Sequence, residues 1–372
     1  MPLAKIAPLK APFTYFGGKS RVASEVWKRF GNVRNYVEPF FGSGAVLLGR
    51  PQPFEGLEKV NDADGMLCNF WRALQADAET VAKYADWPVN ENDLHARHAW
   101  LVERRDSLQS RLEGDPDFYD IKSAGWWVWG LSIWLGHGWC GGSGPWTVEE
   151  ISGERHLVKG EPNGGICRKL PALSSGVGVH RQRSKMGYKH GVTRQMPSIS
   201  HGNGANGKTG IGEWFAALSD RLRDVRVCCG DWSRVCGGKS GDALSHMVEN
   251  SPCGVFLDPP YALAGRDNRV YTFEDDNLHR KAREWAIAHG DDPRLRIALC
   301  GYEGEHEMPE GWSLHAWAAH GGFGMLYGHG RGRENAKRER IWFSPHCLHG
   351  SDDAAPAIQS ANGSLFQSEL EE

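Results

Sequence analysis

The segment GVFLDPPY (254–261) places a carboxylate, two prolines and a phenol directly after an apolar run. A short apolar run bounded by turn residues reads as a buried strand. Asp258, Pro259, Pro260 and Tyr261 then lie at its carboxyl end, where open α/β sheets bind their ligands. Proline has no backbone N–H, so this loop presents a carboxylate and carbonyls rather than donors. Such an acceptor-rich site suits an exocyclic amino group, which is a pure hydrogen-bond donor, and Tyr261 offers a ring for stacking. The plainer reading is a surface turn that ends a strand.

A second constellation lies upstream. RNYVEPF (34–40) reads as a short strand, and Phe41-Gly42-Ser43-Gly44 as a glycine-rich turn opening a helix. Glycines there let the backbone bend sharply and approach a ligand. Asp62 follows Gly42 by 20 residues and ends a second short strand, LEKVNDAD (57–64). An acid in that place grips ribose hydroxyls in nucleoside-binding α/β folds. The glycine spacing does not match a pyrophosphate-binding loop, so a nucleoside without phosphates fits better. A purely structural turn is the alternative.

The elements that must position these residues follow from periodicity. Met66, Phe70 and Leu74 recur on one helical face, and 76–120 is polar and helix-compatible. AGWWVWGLSIWLGHGWCGGSGPW (124–146) begins as a buried helix and ends as a glycine-rich loop. In it Trp126, Trp127, Trp129 and Trp134 have core spacing, whereas Trp139 and Trp146 sit where they could meet a partner. EWFAALSDRLRDV (213–225) is an amphipathic helix with Trp214, Phe215, Leu218 and Leu222 on or near one face. VRVCCGD (225–231), GVFLDPPY and RLRIALC (294–300) are strands. WSLHAWAA (312–319) and ERIWFSP (339–345) are expected to pair antiparallel. Short apolar strands alternating with helices indicate a parallel α/β sheet.

Composition bounds the partners. The formal charge of the 372 residues is −3, which by itself argues against a nucleic-acid binder. The charge is unevenly spread, however. Residues 151–210 hold ten Lys and Arg against two Glu, a surplus of eight that leaves −11 on the rest. That basic segment is rich in Gly, Ser, His and Asn and reads as long loops. The last 22 residues carry five acids and no Lys or Arg, and read as a disordered tail. The nine cysteines contain no CxxC pair, so buried reduced thiols are expected. No apolar run spans a bilayer and MPLAKIAPLK lacks a signal-peptide core, which predicts a soluble intracellular protein.

Three further patterns invite a functional reading. Gly202–Thr209 matches GxxxxGK[ST], but TRQMPSISH before it is no buried strand, so a basic loop near phosphate is favoured over a nucleotide site. His346, Cys347 and His349 are close donors on one loop, and no metal is expected there. RGRENAKRER (331–340) carries five bases and two acids and could meet phosphates or form a solvated face.

TYFGGK (14–19), EPFFGSGA (38–45), VNDAD (60–64) and LDPPY (257–261) occur in this order. Together they resemble the Dam-type, alpha-group adenine-N6 DNA methyltransferases, over roughly 12–75 and 212–345. Compact members of that family are frequent in phages and prophages. The resemblance implies a class I S-adenosylmethionine-dependent fold: Rossmann-like α/β, a mostly parallel seven-stranded sheet and an inserted target-recognition domain. The catalytic domain would be 1–75 with 212–350, the insertion 76–211 with its basic loop 151–210, and the tail 351–372.

By the same resemblance Tyr15, Gly18 and Lys19 contact S-adenosylmethionine, with Lys19 near its amino-acid end and the active-site mouth. Glu38, Pro39, Phe40, Gly42 and Gly44 line its methionine and nucleoside, Asp62 holds the ribose, and Asp231 approaches the adenine. Asp258, beside the cofactor, would hold the target adenine with Pro259, Pro260 and Tyr261. Trp139, Arg181, Arg183, Lys185, Lys189, Arg194 and Lys208 are the candidate contacts to double-stranded DNA. A cytoplasmic, bacterial setting and a cognate restriction endonuclease fit the family. Cytosine-N4 or RNA methylation on the same core stays open, as do a phosphate-loop ATPase and a silent DNA-binding protein.

Overall fold

The computed structural model describes residues 9–13, 18–134, 139–141, 144–159, 210–237, 244, 251–261, 277–317 and 338–349. Seven strands form one sheet: β1 (Asn35–Glu38), β2 (Glu58–Asp62), β5 (Val225–Cys229), β6 (Cys253–Leu257), β7 (Leu295–Tyr302), β8 (Ser313–Ala316) and β9 (Glu339–Phe343). Their order is β5-β2-β1-β6-β7-β9-β8, and β9 alone runs opposite to the other six. All seven were expected, including the antiparallel closing pair. The chain builds outward from β1 through β2 to β5, then crosses to β6 on the other side of β1. A crevice therefore opens between the carboxyl ends of β1 and β6, the topological switch point where such sheets bind ligands.

Strands β1 and β6 are buried on both faces, as parallel sheets covered by helices require. The two-residue period sorts their side chains. Tyr36, Phe256, Ala298, Cys300, Ile341 and Phe343 join the larger core, and Val37, Val255, Leu257, Ile297 and Leu299 the smaller one. Helices α1 (Ala23–Phe30), α2 (Ala45–Leu48), α3 (Gly65–Ala76) and α7 (Ile211–Leu222) cover the first face. Helices α8 (Ser233–Cys236) and α9 (Leu278–His289) cover the second.

Helices α4 (Ala78–Ala85), α5 (Glu91–Gly114) and α6 (Ile121–Ile133) pack on α3, and α4 also meets α7. Each of α3 to α6 starts on a side-chain cap: Asp64, Asp77, Asn90 and Asp120 accept from backbone N–H groups of their first turns. The proposed boundary at residue 76 falls between α3 and α4, and the hydrophobic core runs across it through Leu94, Leu101, Trp127 and Trp129. Every described cysteine is a free thiol, and all but Cys228 are buried. No described helix is long and apolar enough to cross a membrane.

Two expectations are corrected here. Residues 151–159 are not loop: β3 (Trp146–Ile151) and β4 (Glu154–Lys159) form an antiparallel hairpin. Its two-residue turn, Ser152-Gly153, has both φ positive, the geometry that matches strand twist. Trp139 is not a surface ring. It is buried against Gly130, whose missing Cβ leaves room for the indole, and its Nε1 donates to the Trp127 carbonyl at 3.1 Å. Trp127, Trp129 and Trp134 are core residues as expected.

Candidate active site

The turn after β1 is held open by its glycines and tied to the next strand. Gly42 and Gly44 adopt φ of +49° and +63°, a region costly for residues with a Cβ. At Gly44 a Cβ would sit 2.6 Å from the Phe41 ring, which packs on Trp71. Gly44→Ala should therefore cost about 1–2 kcal/mol for the left-handed backbone alone. An unchanged urea-unfolding midpoint would show that the turn relaxes freely. The Gly42 amide donates to Asp62 Oδ2 at 2.9 Å, and the Asp64 amide to Oδ1 at 3.0 Å. Burial pushes the Asp62 carboxyl up to about 6, against the pull of these amides. Asn61 clamps the turn ends by donating to the carbonyls of Pro39 and Gly230.

The carboxyl end of β6 carries the second half of the site. Lys19 is 4% exposed, and its Nζ lies 2.9 Å from Asp258 Oδ2 and 3.8 Å from Glu339 Oε2. Burial opposes its charge, but these two carboxylates more than offset that and hold it firmly protonated. The Tyr261 hydroxyl lies 2.8 Å from Glu339 Oε2 and 3.2 Å from Asp258 Oδ1. Beside them Glu38 is buried, accepting a 2.8 Å bond from the Tyr36 hydroxyl. Burial pushes the Glu38 carboxyl well above the usual range against that bond, and the Asp258 carboxylate adds to the rise.

Between the two halves lies a cavity of about 320 Å³, within the size range of small-molecule sites. Gly18, Lys19, Glu38, Pro39, Phe40, Gly42, Asp62, Asp231, Asp258 and Pro260 all line it. Phe40 and Trp232 form a stacked pair on its wall, with centroids 5.7 Å apart. Asp64 and Glu113 add two further acids, so six carboxyl side chains and one lysine face this space.

Residues 15–114 match the family model of the D12 class N6 adenine-specific DNA methyltransferases. Over this stretch the chain is similar to the D12 class methyltransferases. No curated protein matches the chain at a significant level. The D12 match holds the turns at Gly42 and Asp62, and the pairing of β1 with β6 brings Asp258 alongside them. The enzyme transfers a methyl group to N6 of adenine in DNA, with S-adenosylmethionine as donor. Nothing favours cytosine, RNA or a phosphate-loop reading.

The cavity fits that donor chemically. S-adenosylmethionine brings a sulfonium and an ammonium against one carboxylate, and an acid-rich wall with low local dielectric favours net positive charge. The cavity and the cluster beside it also include residues that the motifs did not single out. Asn61 and Trp232 stand next to Asp62 and Asp231 in the sequence, so adjacency was the available signal. Gln109 and Glu113 come from the end of α5 and Glu339 from β9, and neither carries a motif.

Tyr261 is held from several sides. The Tyr261 ring is 8% exposed, with Lys19 Nζ 5.3 Å from its centroid and Tyr302 against it edge-on at 4.6 Å. Among the described residues, Lys19 and Tyr302 are the groups packed against its ring. Its hydroxyl ties Asp258 to Glu339. Tyr15, Arg181, Arg183, Lys185, Lys189, Arg194, Lys208, the Gly202–Thr209 segment and the tail from residue 351 lie outside the described residues.

Proposed function

We propose that the enzyme methylates adenine at specific sites in double-stranded DNA, on a base rotated out of the helix and held by Asp258 and the Pro259 carbonyl. The observation that carries this reading is the Lys19–Asp258 pair at the mouth of an acid-lined cavity at the sheet's switch point. A stacked base does not reach a carboxylate in such a crevice, so the adenine must leave the stack.

The N6 lone pair is delocalised into the purine ring and is a poor nucleophile. Hydrogen bonds from N6 to the Asp258 carboxylate and the Pro259 carbonyl favour a pyramidal nitrogen with its lone pair free. This is positional and electrostatic assistance to an in-line transfer. When bound, the cofactor supplies an activated methyl group on a sulfonium, so the chemistry of the leaving group comes from it. The chain's own residues bind and orient. Asp62 takes the ribose hydroxyls, the stacked pair of Phe40 and Trp232 offers an aromatic wall to the cofactor adenine, and Asp231 meets its polar edge. Glu38 and Lys19 face the methionine end with Gly18 and Pro39. Gly42 and Gly44 keep the turn close enough for these contacts.

The catalytic unit in this reading is 1–75 with 212–350. Residues 76–211 recognise DNA, the basic stretch 151–210 meeting phosphates through Arg181, Arg183, Lys185, Lys189, Arg194 and Lys208. Arginines among these are the first candidates for reading guanine. A bacterial cytoplasm, a phage or prophage gene and a partner endonuclease complete the proposal by analogy with the family. The test is incubation of the full chain with tritiated S-adenosylmethionine and unmodified duplex DNA. Label is expected in N6-methyladenine at a recurring sequence. Label in cytosine or protein, with none in adenine, would refute it.

A further inference from the structure

Methylation leaves N6 with one proton too many: the amino group enters with two hydrogens, gains a methyl group and becomes cationic until one proton departs. Asp258 is the first acceptor, but it also faces Lys19 at 2.9 Å, so a proton held there would weaken that ion pair. The site continues past Asp258. The Tyr261 hydroxyl stands 3.2 Å from Asp258 Oδ1 and 2.8 Å from Glu339 Oε2, which makes a continuous hydrogen-bonded line from the target base to a second acid. Glu339 is 5% exposed at the start of β9, and its backbone pairs with Tyr302, whose ring packs on Tyr261. The same side chain flanks Lys19.

We propose that Glu339 is a positioning and proton-holding residue: it receives through the Tyr261 hydroxyl the proton that N6 releases to Asp258, and it keeps Lys19 and Tyr261 in register with Asp258. This rests on the assignment of Asp258 to the target amino group. The step balances without any further reactant. One N6 proton passes to Asp258 Oδ1, that oxygen passes a proton to the Tyr261 oxygen, and the Tyr261 hydroxyl proton passes to Glu339 Oε2. N6-methyladenine, a restored Asp258 carboxylate, an intact phenol and a neutral Glu339 remain. No bond other than O–H and N–H changes, and nothing is oxidised or reduced.

The electrostatics support this direction. The charged and titratable groups facing Glu339 are Lys19, Asp258, Tyr261, Cys300 and Glu305. Burial raises the Glu339 carboxyl above the ordinary glutamate range, Lys19 pulls it back, and Asp258 raises it again. A carboxyl so placed takes a proton more readily than an exposed one. Burial, with Asp258 and Glu339 nearby, also holds the Tyr261 phenol well above its ordinary value, so it stays a hydroxyl and passes protons without ionising.

The experiment measures single-turnover methylation of unmodified duplex DNA by the full chain from about pH 5 to 9, in water and in heavy water, for the wild type, Glu339→Gln, Tyr261→Phe and Asp258→Asn. Glu339→Gln should lower the plateau rate roughly tenfold or more and move the acid limb to lower pH, because a glutamine no longer needs to be deprotonated. Tyr261→Phe should bring a similar loss and turn a curved proton inventory into a linear one. S-adenosylmethionine affinity should change little in both. The proposal is overturned if Glu339→Gln keeps the wild-type rate and acid limb. It is also overturned if both variants lose the same factor at every pH with the limb and isotope effect unmoved, since that marks a merely structural contact. Full activity in Asp258→Asn would refute the parent assignment. An inactive Asp258→Asn beside an unaltered Glu339→Gln would refute the relay alone.

Discussion

Asp258→Ala is expected to lower the rate of adenine methylation by roughly two to three orders of magnitude, about 3–4 kcal/mol of transition-state stabilisation. It should leave S-adenosylmethionine binding close to the wild-type value. In the proposed role the loss is large because the carboxylate both accepts from N6 and stabilises the positive charge that N6 develops as the methyl group arrives, in a crevice that leaves its side chain only 19% exposed. The fold should survive because the buried charge is not orphaned: Lys19 retains Glu339 at 3.8 Å. Removing one of two neighbouring carboxylates also relieves the repulsion that raises both Glu339 and Glu38. Single-turnover incorporation from tritiated cofactor gives the rate, and equilibrium binding gives the affinity. Equal activity would remove Asp258 from the chemistry. A parallel collapse of cofactor affinity would show that its main partner is the cofactor rather than the base.

Much of this site was legible in the sequence, for a definable reason. Apolar runs ending in Asp62, Asp231 and Asp258 mark strand ends, and in a parallel sheet the carboxyl ends of all such strands share one edge. The glycine pair at 42 and 44 marks a backbone that must turn sharply, and the structure shows both at positive φ. Local patterns of this kind carry their structural consequence with them.

Pairings made by strand order do not. Glu339 lies 320 positions after Lys19 in the chain, and only the insertion of β9 beside β7 brings the two together. In the sequence Glu339 reads as one charge in a basic run. The hairpin of β3 and β4 was hidden because its strands show no fully buried face, so no alternation of apolar and polar residues announced it. Trp139 was misread because it lies in a glycine-rich stretch. The decisive contact is with Gly130, a helix position whose empty side chain receives the indole. The surroundings of Tyr261 were hidden for a related reason: Tyr302 and Lys19, which pack against its ring, come from distant parts of the chain. The charge of −3 misleads in a simpler way, since phosphate attraction depends on the local patch within a Debye length, roughly 8 Å at physiological salt. The surplus of eight positive charges is confined to 151–210.

The largest stability effect is expected far from the chemistry, at Glu58. This residue is 3% exposed at the start of β2 and holds two arginines. Arg50 Nη1 reaches its Oε1 at 3.0 Å, while Arg221 takes Oε2 at 2.6 Å and Oε1 at 2.8 Å. The guanidinium groups also donate to the carbonyls of Val33, Arg34 and Leu47, and both lie over the Phe54 ring. Glu58→Ala leaves two buried cations facing each other without the anion that reconciles them. Breaking a buried pair in this way costs about 3–5 kcal/mol, a large part of a total stability of about 5–15 kcal/mol. A fall in Tm of about 4–6 °C should follow. Replacing Arg50, Glu58 and Arg221 together by apolar residues of similar volume should cost much less, because no charge is then left unpaired. Denaturant unfolding of the two variants separates the possibilities. If the single and triple replacements are equally destabilised, the loss comes from packing and carbonyl bonds rather than orphaned charge. If Glu58→Ala unfolds like the wild type, the network contributes nothing net. Asp62 sits at the other end of the same strand, so the folded fraction of Glu58→Ala should still bind S-adenosylmethionine.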